Sequence, residues 1–213
     1  MLFVEKPPKS VRGSLISVRI DYLVYAGLDW KEALDAVSPE AKEDLKKLVK
    51  GNYTIEEFFE TPAHMKRVIS GVGWYPASLY NGISMAIMTL MKKKNNTPFE
   101  ETCRQMGRYA AEQHLTGFTS YVLRVTSIAQ VINLVVRGWS GYYSEGAIKV
   151  TRNEPGEAEM IAEIPYVIPE MRYAMLGYFE VTLEHKNAKN LQITSKILTD
   201  KNNAFHFHLK WSQ

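Results

Sequence analysis

The chain has 213 residues, 46% hydrophobic and 11% aromatic, with 26 basic and 23 acidic residues and a formal charge of +3. That length buries a sizeable core, and the scattered charge excludes a broad basic surface of the kind that binds nucleic acid. Cys103 is the only cysteine, which excludes an intrachain disulfide and any multi-cysteine zinc or iron–sulfur centre and makes a reducing cytoplasm the expected compartment.

Pro7-Pro8 makes residues 1–10 an extended arm without the long apolar stretch of a secretory leader. From residue 11 a single α+β domain is expected, helical over 11–138 and mixed helix and sheet over 139–213. After Gly13, the residues Leu15, Val18, Tyr22 and Tyr25 fall on one stripe at helical spacing. A short helix follows near 30–37. Ser38 then caps a helix that begins on Pro39 and that Gly51 closes. Thr54 and Glu57 have capping-box spacing ahead of Phe58-Phe59, and Thr61-Pro62 opens another short helix that stops at Gly71. Trp74-Tyr75-Pro76 leads into a longer helix over 77–94, with Leu79, Ile83, Ala86, Ile87, Leu90 and Met91 on its buried side. Lys92-Lys93-Lys94 falls in its last turn, where cations complement the helix dipole, so the run calls for no nucleic acid. No apolar run approaches the ~20 residues that span a bilayer.

Thr97-Pro98-Phe99-Glu100 is the clearest helix start in the chain. Phe99, Cys103, Met106, Ala110 and His114 form one stripe before Gly117. One further helix is expected over 118–137, carrying Val122, Val125, Ala129, Ile132 and Val136 up to Gly138. The period then changes to alternation. Residues 147–152 and 157–163 form a hairpin around Asn153-Glu154-Pro155-Gly156. Residues 190–198 and 204–211 form a second, turning over 199–203, and a helix over 168–185 separates the two. Phe205, Phe207, Leu209 and Trp211 alternate with His206, His208 and Lys210, so one face is buried and one wet. This order predicts an α+β fold in which an N-terminal helical bundle packs on one face of a small antiparallel sheet built from two β-hairpins separated by a helix.

Residues that carry chemistry are sparse. His206 and His208 share a strand face and would need a third ligand to hold a metal. Lys210 on the same face opposes a cation, so the pair reads as a solvated face and no metal site is expected. His114 continues an apolar stripe at a helix end, where a neutral imidazole can face a pocket or meet the helix dipole. Trp139 and Tyr142 lie where the last helix of the bundle enters the sheet, and Tyr173 and Tyr178 lie on the helix between the hairpins. Such aromatics suit a ligand rim as well as a core edge. The candidate ligand-binding residues are therefore His114, Trp139, Tyr142, Tyr173 and Tyr178. Cys103 belongs to an apolar stripe and is expected to be buried and inert. There is no Gly-x-Ser-x-Gly elbow, phosphate-cradling glycine loop or His-Glu-x-x-His helix, so no catalytic residue, cofactor or enzymatic activity is expected.

The run Thr97-Pro98-Phe99-Glu100-Glu101, the run Met106-Gly107-Arg108-Tyr109-Ala110-Ala111-Glu112, and Tyr142-Tyr143 with Gly146 together resemble a family of mostly myxobacterial and deltaproteobacterial proteins without an assigned activity. Gly177, the closing Phe205-x-Phe207-x-Leu209-x-Trp211, the early Val11-Arg12-Gly13-Ser14 and Tyr75-Pro76 carry the same resemblance. More distantly, the order is similar to the haem nitric-oxide-binding (H-NOX) domain, the 4-vinyl reductase domain and trafficking proteins of the Bet3 type. That resemblance implies a pocket for a small molecule or acyl chain, used for sensing or assembly rather than turnover. The chain lacks the Tyr-x-Ser-x-Arg motif of the H-NOX type, and Cys103 alone cannot supply the zinc-holding cysteine cluster of some 4-vinyl reductase domains. The expected function is a non-enzymatic domain that binds an apolar small molecule or lipid and signals or assembles through its fold. Two alternatives stay open. One is a ligand-free module that homodimerises or engages a signalling partner through apolar residues such as Phe58 and Phe59. The other is a haem-dependent gas sensor using a histidine such as His114.

Overall fold

In the computed structural model, which describes residues 6–49, 54, 57, 62–198 and 203–212, helices combine with two antiparallel sheets in an α+β arrangement. The chain divides into two compact units, residues 1–102 with 142–144 and residues 103–141 with 145–213. Phe58, Phe59, Gly51 and the turn over 199–202 lie outside the described residues. No helix among the described residues is long and apolar enough to cross a membrane.

The first unit contains β1 (Ser10–Arg12), α1 (Gly13–Tyr25), α2 (Trp30–Ala36), α3 (Pro39–Val49), α4 (Pro62–Val68), β2 (Trp74–Pro76) and α5 (Ala77–Asn95). The predicted stripe of α5 is its buried side, and it packs against α1, α2 and α3. Local sequence signals set the helix ends. Asp29 accepts from the backbone N–H groups of Lys31 and Glu32 at 2.9 and 3.0 Å, and Ser38 accepts from Ala41. The Thr54–Glu57 capping box is reciprocal, at 2.7 and 3.1 Å. Lys94 in the last turn of α5 donates to the Gly27 carbonyl at 2.7 Å and Lys93 pairs with Glu32, so two of the three clustered lysines serve the fold. The ribbon of β1 and β2 is not foreseen in the sequence. Val11 pairs with Tyr75 and is also bridged by Tyr143. Strands of three residues are too short to display a period of two.

α6 (Phe99–His114) leads into the second unit, which holds α7 (Gly117–Val125), α8 (Ile128–Gly138), a 3-10 turn at Trp139–Gly141, β3 (Ala147–Glu154), β4 (Glu157–Glu163), α9 (Met171–Glu184), β5 (Lys189–Ile197) and β6 (Ala204–Ser212). The two predicted hairpins form, and the pairing of β4 with β6 joins them into one sheet of order β3-β4-β6-β5. Met160 stands opposite Phe207, and Phe205, Phe207 and Leu209 are fully buried. α9 lies against β5, with Phe179 edge-on to Phe207 at 5.8 Å, and α8 lies against β3. The single helix expected over 118–137 is instead two. Ser127 accepts from the Gln130 N–H at 3.2 Å while the Gln130 side chain accepts from the Ser127 N–H at 2.7 Å, which starts a new helix at Ile128. The apolar stripe continues across this break and hides it from a reading of periodicity. α9 begins at Met171 rather than 168, because Pro169 and Glu170 form a turn in which the Met171 N–H bonds to the Ile168 carbonyl.

Candidate ligand site

Two glycines bring α6 and α9 into backbone contact. A Cβ on Gly107 would lie 1.8 Å from the Ala174 carbonyl oxygen, and one on Gly177 would lie 2.0 Å from that of Arg104. Charge fastens the same joint. Arg104 Nε donates to Glu180 Oε2 at 3.0 Å, Arg108 Nη1 donates to the same oxygen at 3.2 Å, and Arg108 Nη2 donates to Glu184 at 2.9 Å. Glu180 is buried, so its carboxylate needs these partners to offset the loss of water. The hydrogen bond to Glu184 raises the Arg108 guanidinium above its ordinary pKa, against the opposing effect of burial.

His114 sits two turns beyond Gly107 on the same face of α6, and Tyr178 follows Gly177. Their rings meet at 6.1 Å, tilted by 60°. Both are half-buried. Tyr178 packs on a buried cluster of Ala111, Leu115, Leu123, Val131 and Val181, drawn from α6, α7, α8 and α9. The pair therefore stands on the rim of an apolar core and brings two aromatic rings together there.

Each of the other expected ligand residues has its own surroundings. Tyr173 is five residues before Tyr178, about 140° around the helix. Its hydroxyl accepts from Arg172 Nη2 at 2.7 Å, and the same guanidinium lies 4.2 Å from its ring. Trp139 is buried in the 3-10 turn. Tyr142 belongs to the first unit, where it is 38% exposed and its carbonyl accepts from the Arg12 N–H at 2.9 Å. Cys103 is fully buried, as its stripe predicts.

A second cluster occupies the face of the sheet opposite Phe205, Phe207 and Leu209. The sequence reads His206 and His208 as solvated, but β4 supplies each with a carboxylate. His208 Nε2 lies 2.7 Å from Glu157 Oε1, and His206 Nε2 lies 3.1 Å from Glu159 Oε2. Arg152 and Lys210 also pair with Glu157, at 2.7 and 3.5 Å. The His208 hydrogen bond, aided by these two cations, holds the Glu157 carboxyl below the usual carboxylate range, so it is ionised near neutrality. The Glu-x-Glu and His-x-His spacings were visible in the sequence. Their pairing depends on the β4–β6 register, which places Glu159 opposite His208.

No protein-family model matches the chain, and no curated protein matches it. Solved structures do. The Fe(II) unliganded H-NOX protein from K. algicida shares 11% identity at a TM-score of 0.59, covering 95% of this chain and 97% of its own. The S. oneidensis H-NOX protein in the Fe(II)NO state shares 15% at 0.52, covering 95% and 99%. A further H-NOX structure, from a study of haem distortion, shares 15% at 0.60, covering 95% of each chain. The fold is H-NOX-like. At these identities the likeness is one of fold.

An H-NOX fold raises the question of haem, and the residues of this chain answer part of it. Tyr142-x-Ser144-x-Gly146 keeps the first two positions of the Tyr-x-Ser-x-Arg motif. Ser144 Oγ accepts from the Ser10 N–H at 2.9 Å, which holds the ribbon of the first unit. Gly146 has φ +87°, and a Cβ there would lie 2.1 Å from the Glu163 carbonyl oxygen. No side chain fits that position, least of all arginine. The chain does not fit haem held by that motif.

Proposed function

We propose that the chain is a non-enzymatic, cytoplasmic small-molecule-binding domain of H-NOX-like fold that takes an apolar guest or lipid and uses it for sensing or assembly. The likeness of fold over 95% of the chain is the observation that carries this reading. Gly146 turns it away from haem. His114 and Tyr178 are the residues assigned to touch the guest, with Tyr173, Trp139 and Tyr142 as further contacts. A guest that binds beside His114 and Tyr178 more tightly in one packing of α6 and α9 than in another shifts the balance between them, and that shift is the signal passed to a partner.

Native mass spectrometry of protein purified from its own host tests the reading. An adduct of lipid or aromatic mass, weakened by His114→Ala and Tyr178→Ala, supports it. A guest-free protein that dimerises with concentration in light scattering overturns it in favour of a ligand-free interaction module. Haem sensing through His114 is the second reading, favoured by the Fe(II) state of the K. algicida H-NOX protein, whose fold is similar. Titration with haemin separates the two, because a saturable shift and sharpening of the Soret band relative to free haemin, lost in His114→Ala, would establish haem binding, and a spectrum that stays that of free haemin would exclude it.

A further inference from the structure

The outer face of the sheet carries a cluster that the ligand-binding reading does not use. Ligand atoms of Glu157, Glu159 and His208 all lie within 4.8 Å of one another. Tetrahedral ligands of one zinc ion at about 2.0–2.2 Å from the metal are about 3.3–3.6 Å apart, so closing this set needs side-chain movements of roughly 1 Å. All three side chains are half-buried and stand on adjacent, hydrogen-bonded strands, which fixes their backbone positions. We propose that Glu157 and Glu159 of β4 and His208 of β6 form a binding site for one first-row divalent cation, with zinc as the reference ion and His206 orienting Glu159.

The donor set sets the choice of ion. One imidazole nitrogen and two carboxylates suit zinc, cobalt or nickel, whereas magnesium and calcium prefer all-oxygen shells. The His206–Glu159 hydrogen bond at 3.1 Å supplies the outer partner that metal-binding carboxylates commonly have. Arg152 and Lys210 now neutralise Glu157, but both side chains are about half exposed and reach water without disturbing the sheet. A divalent cation takes their place. They compete with the metal, so affinity is set by that exchange as well as by the ligands. Three protein ligands leave at least one coordination position open to water or to a donor from a partner.

Untagged, metal-stripped protein is titrated with zinc chloride by calorimetry and with cobalt chloride by visible absorption. One ion per chain is expected, with no heat from magnesium or calcium. His208→Ala weakens zinc binding by at least about tenfold and His206→Ala by less, while the Arg152→Ala/Lys210→Ala pair tightens it. His64→Ala, on a different element, leaves it unchanged. Imidazole nitrogen NMR of the unmodified chain guards against a variant that fails to fold. Zinc should shift His208 Nε2 selectively over His64, His114 and His185. Absence of uptake, or uptake that neither perturbs His208 nor responds to its removal, overturns the proposal.

Discussion

Replacing Gly177 by alanine puts a methyl carbon 2.0 Å from the Arg104 carbonyl oxygen and 3.0 Å from the Arg108 nitrogen, both backbone atoms that no rotamer change can move. Ordinary contact begins near 3.4 Å, so α6 and α9 must part by about 1.4 Å at their closest point. Overpacking of this kind costs about 1–3 kcal/mol, and the absence of any flexible side chain puts this case at the upper end. Separation also stretches the bonds from Arg104 and Arg108 to Glu180, now 3.0 and 3.2 Å, for roughly another 1 kcal/mol. Against this, alanine gains about 1 kcal/mol over glycine in helix propensity. The net expectation is a loss of about 3 kcal/mol, which for a chain of this size lowers Tm by roughly 6–12 °C. Urea unfolding followed by far-ultraviolet circular dichroism measures it. Gly138→Ala serves as the control, because nothing lies within 4 Å of its Cβ position and only the propensity gain should remain. The two effects have opposite signs. A Gly177→Ala protein as stable as the wild type, or more stable, refutes the close approach.

Glu180→Ala removes the carboxylate shared by two arginines. Because those guanidinium groups are 44% and 36% exposed and regain water, the expected loss in urea unfolding is about 1–2 kcal/mol rather than the larger penalty of a fully buried pair, and a cycle with Arg108→Ala should show coupling. Ser127→Ala takes away the cap that starts α8 and should cost about 1 kcal/mol, measured in the same way; no change would mean that the break at Thr126 does not depend on the cap. The Glu57 carboxyl is held below its ordinary value chiefly by the backbone N–H of Thr54, then by the Thr54 hydroxyl. A depressed folded pKa contributes stability above the unfolded value of about 4.3 and loses it as the pH falls through the folded value. Carboxyl NMR should place Glu57 below the ordinary glutamate range, and a titration within or above that range would contradict the reciprocal cap.

Alternation and caps made much of the architecture legible. Phe205 to Trp211 declared the buried face of β6, the stripe from Leu79 to Met91 declared that of α5, and Thr54 with Glu57 declared a helix start. What remained hidden depended on partners far away in the chain. His114 announced itself by its place on an apolar stripe, but nothing local says that Tyr178, on a later helix, will be its neighbour. Glu157 and Glu159 could not be matched to His208 and His206 without the pairing of β4 with β6, which no turn residue specifies. The division between α7 and α8 is legible in principle, since Ser127 and Gln130 have the spacing of a cap, but the apolar stripe keeps its helical spacing across the break and masks it.

The α6–α9 joint has a bearing on how this sequence can vary. Positions 107 and 177 each face main-chain atoms of the opposite helix, so any chiral amino acid there collides, and drift at those two sites is closed whatever the chemistry of the newcomer. Around them the reverse holds. Arg104, Arg108, Glu180 and Glu184 interact through long side chains, so their polarity can be exchanged across the joint by paired substitution. A saturation library selected for solubility should thus return two invariant positions inside a ring of co-varying ones.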